Sequence, residues 1–204
     1  MRLWTIQPKI VYDILKKDKV YHCDHTNPKC SINDSDDCIA EEFILAYDFI
    51  AEQMKKRIGN PPKGVKYPIW LWYMDEPGKN KRPDLRKHSK YSDKPYVMLE
   101  VEVPDEEVLL SDFDDYHCIL NDWPIFICYN EYEQDIIYEW FKSLSKEEQN
   151  KYKRKSWEDI FDFNVDPLDV DNYMGKKEAN NRCIQATIWE LRKEEIIKVW
   201  RYYK

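Results

Sequence analysis

Residues 96–103, YVMLEVEV, decide the fold class. Val97, Leu99 and Val101 alternate with larger or charged residues, and successive side chains of a β-strand point to opposite faces. This alternation predicts a strand with one buried face. The preceding run YPIWLWYM at 67–74 is aromatic, too short for a buried helix and interrupted near its start by a proline. It predicts a second strand.

Both ends of the sequence also predict strands. Residues 2–7 alternate between two faces, and so do residues 184–189. A charged turn then leads into a last apolar segment over 196–203, which predicts a further strand. Because only a short turn separates the last two strands, we expect them to pair as a terminal hairpin or meander.

Between these strands, apolar residues recur with helical spacing and predict α-helices. Ser111 is expected to cap one helix, and Ser145 with Glu148 predicts a capping box in another. The predicted helices cover about 8–17, 39–58, 112–120 and 131–155, the last in two pieces. Together these elements predict a single α+β domain over residues 1–204, with small mixed or antiparallel sheets and flanking helices.

Composition limits the classes of function. The 204 residues are 43% hydrophobic and 15% aromatic, which is enough apolar material for one sizeable core. The formal net charge is -7. Proteins that bind nucleic acid in general neutralise phosphates with basic side chains, so we expect no general nucleic-acid binding.

Localisation is predicted from two features. The first residues lack the apolar segment of a signal peptide, and no apolar stretch approaches the ~20 residues that span a bilayer. The sequence therefore predicts a cytoplasmic protein without a membrane partner. Its six cysteines are expected to stay reduced there.

A loop near the N-terminus is rich in potential zinc ligands. It holds two histidines and three cysteines: His22, Cys23, His25, Cys30 and Cys38. Zinc takes four nitrogen or sulfur ligands in tetrahedral geometry, but these spacings match no familiar zinc motif. We expect unligated side chains and no metal cofactor.

Carboxylates and a histidine cluster in SDFDDYH at 111–117. Asp112, Asp114 and His117 could hold a divalent metal for hydrolysis. Acidic residues are also favoured in the first turn of a helix, where backbone N–H groups are exposed. Capping is therefore the expected role, and metal-dependent hydrolysis is an alternative.

A basic segment follows the aromatic run. Arg82 and Arg86 are suited to bidentate phosphate contacts. Tyr67, Trp70 and Trp72 offer faces on which a base can stack. The pattern indicates a phosphate-bearing ligand, and a solvated loop beside core aromatics is the alternative.

Two strands at opposite ends of the chain carry polar side chains. Thr5 and Gln7 share one face of the first strand, and Gln185 and Thr187 share one face of the penultimate strand. If these faces meet across a cleft, they form a polar binding site. Polar residues on a solvent-facing sheet surface would give the same pattern.

Five segments together resemble a bacterial family called domain of unknown function 3841. They are distinctive in combination and cover nearly the whole chain. The segments are LWTIQ at 3–7, YPIWLWY at 67–73, KRPDLR at 81–86, VEVPDEEVLLSDFDDYHCILN at 101–121 and IQATIWEL at 184–191.

The order of elements also resembles the ADP-ribosyltransferase fold, in which NAD binds in a cleft between two small sheets. That resemblance implies that Thr5 or Gln7 occupies the position of an Arg or His on the first strand. Tyr67 or Trp70 would occupy the middle-strand position. Gln185 would stand where an acidic residue is usual.

The glutamine at position 185, in place of the usual acidic residue, affects the reaction that the resemblance implies. Cleavage of the nicotinamide–ribose bond develops positive charge, which a fixed carboxylate stabilises and a neutral carboxamide does not. Glu190 is five residues further on and is expected on the opposite face. The resemblance thus implies NAD binding, with transfer of ADP-ribose to a macromolecule as the associated activity.

A non-catalytic role is the alternative to an enzyme. The amphipathic helices predicted at 39–58 and 131–155 could dock a protein partner without any small ligand.

In the nucleotide hypothesis, Thr5 and Gln185 act on the ribose or nicotinamide. The expected contacts to the cofactor come from Gln7, Tyr67, Trp70, Trp72, Arg82 and Arg86.

Overall fold

A computed structural model describes residues 1–23, 37–84, 95–128, 131–163 and 182–202. The strands are β1 (Arg2–Pro8), β2 (Val20–Tyr21), β3 (Ile69–Met74), β4 (Tyr96–Glu102), β5 (Leu109–Asp112), β6 (Ile184–Ile188), β7 (Leu191–Arg192) and β8 (Ile196–Tyr202). The α-helices in these ranges are α1 (Lys9–Asp18), α2 (Asp37–Arg57), α3 (Phe113–Leu120), α4 (Glu131–Ser143) and α5 (Lys146–Ser156). Short 3-10 helices cover Asp105–Glu107, Trp157–Phe161 and Lys193–Glu195.

Six strands form one antiparallel sheet in the order β5-β6-β3-β1-β4-β8, and β2 pairs with β7 in a second, two-stranded sheet. The first strand lies inside the large sheet, where Trp4 pairs with Trp72 of β3 and with Glu100 of β4. The predicted α+β class with mixed or antiparallel sheets and flanking helices is confirmed, and both sheets are antiparallel.

The prediction of a terminal hairpin is wrong. Strand β6 pairs with β3 and β5, whereas β8 pairs with β4 at the far edge of the sheet. Four of the five β6 residues are buried, as expected of an interior strand. Strand β8 carries exposed Lys198 and Arg201, which suit an edge strand because charges there oppose further pairing. Proximity along the chain therefore did not determine pairing.

Of the two predicted helix N-caps, one is confirmed and one is shifted by a residue. Ser145 and Glu148 form the predicted capping box at the start of α5. The cap of α3 is Asp112, whose side chain accepts a hydrogen bond from the Asp115 backbone N–H at 2.9 Å, and not Ser111. Ser111 is the penultimate residue of β5. The strand runs two residues beyond its apolar part, Leu109 and Leu110, because it stays paired with β6 as far as Asp112.

Helices cover both faces of the large sheet. On one face, Val11 and Leu15 of α1 pack against Leu3, Leu71 and Leu99. On the other face, α2, α3 and the 3-10 helix at Trp157–Phe161 form a second apolar cluster. None of the helices in the described ranges has the length and apolar character needed to cross a membrane.

An ionic network surrounds the two-stranded sheet. Arg192 lies 2.8 Å from Glu107 and 3.0 Å from Glu195, and its Nε donates to Glu190 at 2.7 Å. His22 Nε2 lies 3.1 Å from the other oxygen of Glu190. Both carboxylate oxygens of Glu190 are thus engaged by this network. The expectation that Glu190 is a poor substitute for a catalytic acid at position 185 agrees with these contacts.

This network predicts a pH-dependent contribution to stability. Burial raises the pKa of Glu190, but hydrogen bonds from His22 and Arg192 outweigh burial and lower the pKa of Glu190 below its ordinary value. A carboxyl whose pKa is lowered by folding stabilises the native state above its unfolded pKa, and this contribution is lost as the pH falls through the folded pKa. We expect Glu190→Gln to reduce the free energy of unfolding by about 1–2 kcal/mol at neutral pH.

Urea denaturation of both proteins across the acidic range tests this expectation. The difference between wild type and Glu190→Gln should begin to shrink as the pH falls past the ordinary carboxyl pKa, and it should vanish once the pH is below the lowered pKa of Glu190. A difference that stays constant throughout the acidic range would mean that the charge of Glu190 contributes nothing.

Candidate functional site

A partly open pocket of about 280 Å³ lies on the face of the large sheet that α2 and α3 also cover. Its lining residues are Ile6, Trp70, Leu71, Trp72, Tyr96 and Gln185. Ligand pockets usually occupy about 300–1,000 Å³. This volume is at the lower limit of that range and suits a single planar ring better than a whole dinucleotide.

The strand register explains why these side chains meet. Trp72 pairs with both Trp4 and Gln185, and residues directly opposite on neighbouring strands point to the same face. Trp70 and Ile6 lie two residues from members of that row, so they share the face. The register thus brings Trp70, Trp72 and Gln185 together, three of the residues predicted to bind a nucleotide.

Packing holds the aromatic wall of the pocket. The Trp72 ring lies 4.9 Å from Phe113 of α3, measured between centroids. The Trp70 ring lies 4.8 Å from Tyr116 and 5.8 Å from Tyr47. Burial raises the pKa of Tyr47 to about 12 and also raises the pKa of Tyr116. Both phenols are therefore neutral at physiological pH, and the wall carries no charge.

Gln185 supplies the polar feature of the pocket. Its side chain contributes to the lining, and its Oε1 is buried without a hydrogen-bond donor among the described residues. The Oγ of Ser111, the residue opposite on β5, also lacks a partner within the described part of the chain. A buried polar atom without a partner costs about 1–3 kcal/mol.

Thr5 and Gln7 lie on the opposite face of the sheet. Thr5 pairs with Leu99, and this face packs against α1. The Thr5 hydroxyl donates to the Trp70 carbonyl oxygen at 2.8 Å, and Gln7 Nε2 donates to Thr5 Oγ1 at 2.7 Å. The cleft that the polar faces of β1 and β6 could have formed therefore does not exist. The two strands belong to one sheet, and their polar side chains point in opposite directions.

This placement predicts how a Thr5 variant behaves. Thr5 is 1% exposed, so Thr5→Val removes a buried hydroxyl and leaves the Trp70 carbonyl without that donor. We expect a loss of about 1–2 kcal/mol in the free energy of unfolding with unchanged affinity for pocket ligands. Urea denaturation and a nicotinamide titration measure the two quantities. A large loss of affinity with unchanged stability would show instead that Thr5 reaches the ligand.

The remaining predicted contacts are spread over the molecule. Tyr67 is buried in the cluster formed by α2 and α3, with its ring 5.6 Å from Tyr47. Arg82 is exposed, and its guanidinium lies 4.2 Å from the centre of the Trp200 ring. Trp200 pairs with Met98, which pairs with Ile6, so Arg82 lies over the same sheet face as the pocket. Arg86 lies outside the described residues.

The acidic cluster before α3 has a structural role at Asp112. One oxygen of Asp112 caps the helix, and the other lies 2.9 Å from Arg182, which is buried. His117 Nδ1 is 2.8 Å from the Phe113 carbonyl oxygen, within the same helix. Within the ranges that the structure covers, no group of three or more potential ligands is placed to hold a metal ion. Capping, the expected role of this cluster, is confirmed at Asp112.

The loop with the potential zinc ligands lies largely outside the described residues. This applies to His25 and Cys30 and to the side chain of Cys38. The described cysteines, Cys23, Cys118, Cys128 and Cys183, form no disulfide.

The roles of three residues were not predicted from the sequence. Ile6 and Tyr96 line the pocket, and Arg182 forms the buried ion pair. Alternation places Ile6 on the face of β1 opposite Thr5 and Gln7, but nothing local indicates that this face meets Gln185. Arg182 lies in an acidic, irregular segment of sequence. A basic residue just before a predicted buried strand was the available signal.

Comparison with known proteins gives a family and no activity. A family model described as Domain of unknown function (DUF3841) matches residues 2–197. No curated protein and no solved structure matches significantly. The matched range contains every residue that lines the pocket as well as both members of the buried ion pair. The chain therefore belongs to the family of domain of unknown function 3841.

Proposed function

We propose that the pocket on the large sheet binds the base of a nucleotide, with NAD as the leading candidate. The observation that carries this proposal is the convergence of Trp70, Trp72 and Gln185 on one concave surface. Indole faces stack on planar heterocycles, and each stacked base contributes about 1–3 kcal/mol to binding. A carboxamide is suited to pair with the amide of nicotinamide or the amino group of adenine.

The volume of the pocket and the position of Arg82 suggest how a dinucleotide would bind. The pocket accommodates one ring, so the remainder of a dinucleotide would extend along the sheet face towards Arg82. Arginine is the side chain best suited to bidentate phosphate contacts. Binding of the base is the primary proposal. Transfer of ADP-ribose to a macromolecule is a further step, for which neutral Gln185 supplies no carboxylate.

Ligand titration with matched tryptophan variants tests the proposal. NAD, nicotinamide and adenosine are added to wild type, to Trp72→Leu and to Trp123→Leu, with intrinsic fluorescence and thermal unfolding as readouts. Trp123 is the control because it is 49% exposed and stacks on Tyr138 of α4, outside the pocket. We expect quenching and a thermal shift with wild type and Trp123→Leu, and about tenfold weaker binding for Trp72→Leu.

Two results would count against base binding. The first is the absence of quenching and thermal shift with all three compounds at millimolar concentration. The second is equal loss of affinity in the two tryptophan variants, which would show that the signal does not come from the pocket.

A further inference from the structure

Helix α4 exposes an apolar stripe that the pocket does not use. The stripe consists of Tyr132, Ile136 and Trp140, which are 74%, 52% and 46% exposed. A spacing of four residues advances each side chain by only about 40° around a helix, so the three form one continuous row. Single exposed apolar residues are ordinary on protein surfaces, but an aligned row of three large ones is not.

The stripe is not the face by which α4 packs on the protein. That face is marked by Phe141, which is buried and lies 5.6 Å from Phe126 and 5.8 Å from Tyr152, measured between ring centroids. Trp140 touches the same Tyr152 edge-on at 5.3 Å. This contact restrains the indole while leaving nearly half of it in solvent. Trp140 is therefore a pre-oriented anchor, which reduces the entropy lost on binding.

Acidic side chains border the stripe on both sides. Helical geometry places Glu133 on one side and Asp135 and Glu139 on the other. Over its whole length α4 has four acidic residues and one basic residue, Lys142, which lies 2.6 Å from Glu139. An apolar row with negative flanks is complementary to an amphipathic helix with positive flanks.

We propose that α4 docks a basic amphipathic helix of a partner protein along Tyr132, Ile136 and Trp140. The acidic flanks disfavour a second copy of this chain, because a two-fold symmetric contact would bring identical negative flanks together. They equally disfavour an anionic membrane surface. This surface is separate from the pocket, so its function does not depend on nucleotide binding.

Designed peptides test the proposal on the whole chain. The probe is a fluorescently labelled amphipathic peptide of about 14 residues built from leucine and lysine with helical spacing. One control has the same composition in a scrambled order, and a second has glutamate in place of lysine. Anisotropy should show micromolar binding of the amphipathic lysine peptide that weakens with added salt, and at least tenfold weaker binding of both controls.

Two protein variants locate the binding surface. Ile136→Ser should weaken binding at least tenfold, because it removes the centre of the stripe. Ile197→Ser is the matched control, since Ile197 is 46% exposed on β8, away from α4, and it should bind as wild type does. Circular dichroism verifies that both variants fold.

Several outcomes overturn the proposal. They are equal binding of the scrambled peptide, equal binding of the glutamate peptide, and wild-type affinity in Ile136→Ser. A concentration-dependent dimer in sedimentation that Ile136→Ser abolishes, with no peptide binding, would also overturn it and would assign the stripe to a second copy.

Discussion

Replacing Arg182 with methionine is expected to lower the free energy of unfolding by about 3–5 kcal/mol. The Arg182 side chain is 1% exposed and its partner Asp112 is 5% exposed. Removing the guanidinium leaves a buried carboxylate that still accepts a hydrogen bond from the Asp115 backbone N–H but has lost its cationic partner. An uncompensated charge in that position costs more than the lost attraction, because water cannot replace the missing partner.

Urea denaturation measures the effect. Two further variants serve as an exposed ion-pair control and as a test of rescue. Lys56→Met removes an ion pair with Glu52 in which both side chains are more than half exposed, and should cost less than about 1 kcal/mol. The double variant Asp112→Asn with Arg182→Met should recover much of the loss, because asparagine still caps α3 and carries no charge. A loss below about 1 kcal/mol in Arg182→Met alone would show that the pair is solvated.

Replacing Gln185 with glutamate is expected to accelerate release of nicotinamide from NAD by about 100-fold or more. This prediction depends on the proposed NAD binding. The wild-type pocket offers a neutral carboxamide where developing positive charge on the ribose needs a carboxylate. The substitution changes charge while conserving size and position next to Trp72.

Gln7→Glu is the matched control, since it introduces the same charge on the opposite face of the sheet. Chromatographic detection of free nicotinamide should show no acceleration in that variant. Equal rates for wild type and Gln185→Glu, with NAD still bound to both, would indicate a binding protein without ribosyl chemistry.

Local signals predicted most elements of the fold. Alternation identified β1, β4 and β6 within a residue or two, because β4 and β6 each have one wholly apolar face and β1 places Trp4 and Ile6 on one face. The capping box at Ser145 was also predicted, since it depends on residues three positions apart. Asp112 belongs to the predicted capping cluster, but the strand β5 that leads into it is not among the predicted strands.

The candidate site was predicted less completely than the fold. Trp70, Trp72 and Gln185 were proposed for one site, and the register places them together. Thr5 and Gln7 were proposed for the same site and lie on the other face. Polarity does not mark the functional face of β1, and this is why the prediction for Thr5 and Gln7 is wrong. The polar side chains of that face are used instead for hydrogen bonds within the sheet, and apolar Ile6 lines the pocket.

The sequence by itself determined that this chain forms an α+β fold of antiparallel strands and amphipathic helices, and that it belongs to its family. Those properties follow from periodicity and from residues close together along the chain. Only the tertiary structure decided that β1 lies between β3 and β4, that Gln185 stands beside Trp72, and that Arg182 reaches Asp112. Pairing between distant strands depends on how their faces complement one another in three dimensions, and a shift of one residue would exchange the two faces of a strand.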